Sequence, residues 1–331
     1  MVLIDNYICH LRDIRRYSHR TVDIYSRALN DFVRMLESDR GEMSDDDLIT
    51  LLIPAIVRSY EVYLLDSKTP KSSRTVGLHM SALSGFCKYL IKEGKLASNP
   101  VKLVPKPKVE KRLPHFFRKE SLDEYFKSTE ALFDQDALHV FEQSWESDQG
   151  KKYYNDLLSR VVICTLYSLG IRRSELIALN VGDVDFGRNV VKVHGKGDKM
   201  REIPLVSSLS EELLLYLKAV EAICCGRRSL KEPFFVTYGG AALYPVFVDR
   251  VVKDQLGDVK GITGRKSPHV LRHSLATELM NGEANLNSIK EMLGHSSLAT
   301  TQIYTHSSVA RLKNIYKQAH PRVKNGGKHG D

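Results

Sequence analysis

Five short islands in the second half of the 331-residue chain hold the residue types best suited to chemistry. They are LGIRRSE at 169–175, HGKGDK at 194–199, SPHVLRHS at 267–274, LGHSS at 293–297 and TTQIYTH at 300–306. Between them they carry Arg172, Lys196, His269, Arg272, His295 and Tyr304. A guanidinium is a planar fork of donors that stays protonated, so two of them can grip the non-bridging oxygens of a phosphodiester. The same pair stabilises charge that builds on the phosphate in a transition state. A phenol, with a pKa of about 10, is a scarce nucleophile at neutral pH. It needs cations nearby and a group to take its proton. An imidazole titrates close enough to neutrality to be that group. Together the set can open a phosphodiester with a tyrosine and keep the bond energy in a phosphotyrosyl link.

Spacing sharpens some of these choices and leaves others open. Arg272 follows His269 by three residues, so on a helix the two share a face. Ser267 suits an N-cap and Pro268 the first helical position, beside a helix N-terminus that favours an anion. His273 follows His269 by four residues and raises zinc as a rival ligand. That stretch lacks the glutamate of a zinc-protease helix and sets an arginine between the imidazoles, so no metal is expected and His273 reads as structural. Lys196 sits on a glycine-flanked turn, where a lysine is most often only solvated, and Lys199 is the alternative in the same turn. Arg173 competes with Arg172, while Glu175 is placed to orient an arginine. His295 follows Gly294, where it either meets a phosphate oxygen or caps a helix. The chain has 15 tyrosines, so setting rather than type singles out Tyr304.

In order and local context the islands resemble the tyrosine recombinase, or phage integrase, family, and the likeness runs over nearly the whole chain. The family pattern Gly-hydrophobic-Arg-x-Ser-Glu selects Arg172 over Arg173. The resemblance implies that Tyr304 attacks the phosphate, leaving a 3′-phosphotyrosyl bond and a free 5′-hydroxyl. It implies that Arg172 and Arg272 clamp the phosphate and that His269 takes the phenol proton. Lys196 would then protonate the departing 5′-oxygen, His295 would donate to the phosphate, and His306 would be supporting structure. Strand exchange would proceed through a four-way junction, on double-stranded DNA with inverted-repeat half-sites and with no cofactor. The ending AHPR at 319–322 looks like the Xer recombinases, which resolve chromosome dimers. That implies a homotetramer, or a heterotetramer with a sister recombinase, and an FtsK-type translocase as partner. Inversion or movement of an element by the same chemistry is the alternative. A DNA-binding protein that does not cut is a third reading, against which the intact set of six residues argues.

The elements that must position these residues are mainly α-helical, with a small antiparallel β-sheet expected beside them. Residues 1–104 read as a helical core-binding domain, SAM-like by the resemblance. Ile14, Val22, Tyr25, Leu29, Phe32 and Leu36 recur at helical spacing. A second helix begins at Ser44, an N-cap followed by three aspartates, and a third runs from Ser72 through Tyr89 to a stop at Gly94. Residues 105–114 form a basic linker broken by Pro105, Pro107 and Pro114, with Lys106 among its expected DNA contacts. Arg74, near the start of the third helix, is the other expected contact. Residues 115–305 form an α+β catalytic domain. In it an apolar helix, Leu157 to Leu169, closes at Gly170, and a short helix spans Ser174 to Leu179. Strands follow at Val184 to Phe186, Val190 to His194 and Arg201 to Leu205. Residues 128–153, acidic and longer than the family pattern, are expected to be a surface loop or a partner contact. Residues 306–331 form a C-terminal helix and tail, which the family passes to a neighbouring protomer.

A net charge of +9 points to a polyanionic partner. No apolar run approaches the roughly 18 residues of a membrane span, so no membrane association is expected. The opening Met1-Val2-Leu3-Ile4 meets Asp5 and Arg12 and does not read as a secretory signal. Five cysteines without a CxxC pair read as reduced thiols of a cytoplasmic protein.

Overall fold

The computed structural model describes residues 1–67, 69–105, 107, 116–195, 200–224, 226, 228–281 and 292–293. The chain divides into two compact units, Met1–Arg112 and Leu113–Asp331.

The described part of the first unit is helical. Helix α1 (Val2–Cys9) runs on into a π-helical turn, His10–Ile14. Helix α2 (His19–Arg40) starts where the Ser18 side chain accepts a hydrogen bond from the Thr21 amide. It buries Val22, Leu29, Phe32 and Leu36, the stripe expected from the sequence. Ile14 does not belong to that stripe: it precedes the helix and is 70% exposed. The chain breaks between them because Arg16 adopts a positive φ and Ser18 is extended, as an N-cap must be. Helix α3 (Asp45–Thr50) begins at Ser44 with a reciprocal cap to Asp47, as expected. It is brief, and α4 (Pro54–Asp66) starts afresh at Pro54, whose ring suits the first helical position. Helix α5 (Ser73–Lys92), capped by Ser72, gives the core Val76, Leu83, Phe86 and Leu90. At the centre the Tyr60 hydroxyl donates to the Ala28 carbonyl and lies 2.8 Å from His79 Nδ1.

The second unit is built around α8 (Asp148–Leu169), in which nearly every side chain from Leu157 to Leu169 is buried. Helices α10 (Ser207–Ile223), α11 (Pro245–Gln255) and α12 (Pro268–Asn281) pack on it. After it come α9 (Arg173–Ile177) and an antiparallel sheet, β1 (Val184–Asp185), β2 (Val190–His194) and β3 (Met200–Pro204), in the order β1-β2-β3. Val191 faces Ile203 and Val193 faces Arg201 across β2 and β3.

The acidic segment 128–153 is not a loop. It contains the end of α6 (Lys119–Ser128), α7 (Gln135–Ser144) and the start of α8. Asp134 and Ser147 cap the two later helices, and Leu138 and Phe141 are buried in the core. Asp136, Glu142, Glu146 and Asp148 stay in solvent on the outer side. Cys87 and Cys164 are buried thiols, whereas Cys9 and Cys224 are exposed. No described helix is long and apolar enough to cross a membrane. The tail at 306–331 lies outside the described residues.

Candidate active site

Helix α8 ends at Gly170, whose φ of +59° is the left-handed cap that glycine adopts without strain. A Cβ there would stand 2.7 Å from Leu293 and 2.8 Å from Leu275, so the position is closed sterically as well. The chain then buries Ile171 and presents Arg172 at the N-cap of α9. Glu175 reaches back to fix it. One carboxylate oxygen accepts from the Arg172 amide at 2.8 Å and the other from Arg172 Nη1 at 2.7 Å. The Arg172 side chain remains 33% exposed above a carboxylate that is 4% exposed. The side chain thus keeps some solvent exposure while Glu175 clamps its base.

Helix α12 delivers the next two residues. The Ser267 carbonyl accepts from the Val270 and Leu271 amides, so Ser267 stands at the helix start with Pro268 behind it. His269 is exposed in the first turn, and Arg272 is buried one turn later. Arg272 Nη1 donates to the Gly170 carbonyl at 2.6 Å, and Nη2 donates to the Leu293 carbonyl. One guanidinium thus ties the end of α8 to residue 293 and still has N–H donors for a ligand. Burial, and after it the charge of Arg172, pulls Arg272 down to about 10, which leaves it cationic at neutral pH. His269 is held below the ordinary imidazole value by partial desolvation, then by Arg272, Arg173, Arg172 and Arg265. Each of these favours its neutral form, the one that can accept a proton.

A third arginine completes the arrangement, and by sequence it reads only as a strand residue. Arg201 on β3 makes a two-pronged pair with Glu175, at 3.0 and 2.8 Å. Its Nε donates to the Met292 carbonyl at 2.9 Å. Burial alone would raise the Glu175 carboxyl, but the hydrogen bonds and charges of Arg201 and Arg172 outweigh it and hold it below its usual range. The available signal was phase: Arg201 occupies the inward register of its strand, opposite Val193. Arg173, the competitor to Arg172, is instead paired with Asp249.

Arg172, His269 and Arg272 are thus brought to one place. Lys196, His295, Tyr304 and Lys106 lie outside the described residues, as do Lys199 and His306. Arg74 is exposed in the first turn of α5, in the other unit. Among the described residues no three His, Cys, Asp or Glu side chains gather as metal ligands. Two arginines and a neutral imidazole at one surface can hold a phosphodiester and take up a proton.

Residues 4–94 match the pattern of the phage integrase N-terminal SAM-like domain, and residues 146–311 match that of the phage integrase family. The chain is 35% identical over 325 residues to tyrosine recombinase XerC of Chlorobaculum parvum, covering 96% of this chain and 94% of that one. It is 32% identical over 327 residues to XerC of Bacillus pumilus, covering 97% of each. The fold is also similar to that of the XerH site-specific recombinase in a post-cleavage complex with a palindromic difH substrate. There the TM-score is 0.64 at 21% identity, over 92% of this chain and 81% of that one.

Proposed function

Because the chain belongs to the phage integrase family of tyrosine recombinases, enzymes that cleave and rejoin DNA at specific sites, we propose that it works as an Xer-type resolvase of chromosome dimers. The observation that carries the site assignment is the joint anchoring of Arg172 and Arg272, the second bonded to Gly170 two residues before the first. Likeness to XerC relatives along almost their full length supports the Xer role.

In this reading Arg172 and Arg272 hold the scissile phosphate and stabilise charge on its oxygens. The Tyr304 oxygen forms a bond to phosphorus as the bond from phosphorus to the 5′-oxygen breaks. His269 accepts the phenol proton, Lys196 gives a proton to the 5′-oxygen, and His295 donates to the phosphate. The 5′-hydroxyl of a partner strand then reverses the step on the new junction, so the phosphotyrosyl link needs no outside energy source. The expected partners are double-stranded DNA with inverted-repeat half-sites, three further protomers of this chain or a sister recombinase, and an FtsK-type translocase. The expected place is the cytoplasm.

The test is denaturing recovery of DNA bound covalently to the protein in its host, sequenced against a Tyr304→Phe control. Tyrosine-dependent adducts at a single locus near the replication terminus are expected. Adducts at paired inverted repeats or at element ends would instead assign inversion or transposition. Adducts that persist in Tyr304→Phe would remove Tyr304 as the nucleophile.

A further inference from the structure

Arg201 is an unusual occupant for its position. Across the hairpin it shares a face with Val191, Val193 and Ile203, all essentially fully buried, and is itself 6% exposed. A buried ion pair rarely stabilises a fold more than apolar residues of the same volume would. Packing alone therefore does not account for an arginine there. Its three hydrogen bonds do suggest a purpose. Two go to the carboxylate that holds Arg172, and the third goes to the Met292 carbonyl, next to the Leu293 carbonyl that Arg272 holds.

We infer that Arg201 is a positioning residue for the cleavage step: it neutralises Glu175 so that Arg172 keeps its charge for the phosphate, and it ties the β2–β3 hairpin to that clamp. With Arg201 in place, Arg172, Glu175 and Arg201 together carry one net positive charge. Without it, Glu175 at 2.7 Å from Arg172 offsets that charge, and only the more distant field of Arg272 is left to counter the carboxylate. Solvent reaches the arginine side of the Arg172–Glu175 pair but not the buried carboxylate, so screening between them is reduced. The link to β3 has a second consequence. Arg201 stands five positions beyond Lys196 in the chain, and its Nε fixes the backbone three residues before His295. Displacing the hairpin must therefore disturb the seat of Arg172 and the backbone at Met292 together.

The inference rests on Arg172 being a phosphate ligand, so Arg172→Ala is measured in parallel. The substrate is a duplex of the locus recovered as tyrosine-dependent adducts. It is nicked just 3′ of the scissile phosphate, so that the short 5′-hydroxyl fragment is lost and the covalent product accumulates. Arg201→Met is expected to lower the single-turnover cleavage rate by about 10²–10³-fold, the scale of removing one preorganised transition-state donor, with duplex affinity within about threefold of wild type. Arg201→Lys, which keeps the charge but not the fork, should stay within about tenfold. The decisive variant is Arg201→Met combined with Glu175→Gln, which removes the surplus buried charge and so also guards against misfolding. It should cleave at least about tenfold faster than Arg201→Met alone. A double variant as slow as the single one would make Arg201 merely structural and overturn the inference. So would wild-type cleavage by Arg201→Met while Arg172→Ala is inactive. Wild-type cleavage by Arg172→Ala would instead overturn the site assignment beneath it.

Discussion

To accept the phenol proton, the role proposed for it, His269 has to be neutral, and its surroundings favour that form. Partial desolvation comes first, and the charges of Arg272, Arg173, Arg172 and Arg265 act in the same direction. A lowered value means the acceptor is available above it and lost as pH falls through it. The rate of covalent adduct formation at subsaturating DNA reports the free enzyme. It should therefore fall on the acid side, with a midpoint below the ordinary imidazole value of about 6.5. Arg173→Gln removes one repelling charge and should move that limb toward higher pH. An acid limb that does not respond to Arg173→Gln would place the titration elsewhere. At this scale the sequence was legible where spacing is local: the pairing of His269 with Arg272 needs only three residues of helix. Arg201 was hidden because its meaning depends on bonds to Glu175 and Met292, which lie far from it along the chain.

Helix ends are what place these side chains. Gly170 is the clearest case, since the left-handed turn it makes delivers Arg172 while its carbonyl receives Arg272. Gly170→Ala meets two obstacles, the positive φ and the side chains of Leu293 and Leu275 at under 3 Å. Thermal or denaturant unfolding should show a loss of roughly 1–3 kcal/mol from the backbone conformation, with crowding adding to it. Cleavage should drop more than duplex binding, because the displaced carbonyl unseats Arg272. Equal losses in both would mean that the substitution only depletes folded protein. Capping explains which elements could be read in advance. Ser44, Ser72 and Gly170 announce boundaries by their own chemistry, and the structure starts or stops helices at each. The helix at 135–144 was missed for a different reason. Its residues are locally ambiguous, and Leu138 and Phe141 become helical core only because α8 offers them an apolar wall.

Across the whole chain the positive charge is unevenly spread. Residues 72–112 hold nine lysines and arginines against two acidic residues, whereas residues 1–71 hold ten against twelve. In the first unit a hollow of about 710 Å³ draws on that excess. It is lined by Arg15, Lys88, Lys92 and Lys102 together with tyrosines, and by no carboxylate among the described residues. A surface of this kind suits a polyanion, because each phosphate neutralised releases counterions and steepens the dependence on salt. A contrasting lysine, Lys127, lies among Glu120, Asp123 and Glu124 in the second unit, and Lys119 is on the same helix. The two pairs allow charge location to be separated from charge amount. Lys88→Gln with Lys92→Gln should weaken duplex binding and reduce the slope of log affinity against log salt by about one for each phosphate no longer neutralised. Lys119→Gln with Lys127→Gln changes the net charge equally and should leave the slope unaltered. If both pairs flatten it alike, the duplex responds to the overall charge of the molecule and the hollow has no special part in holding it.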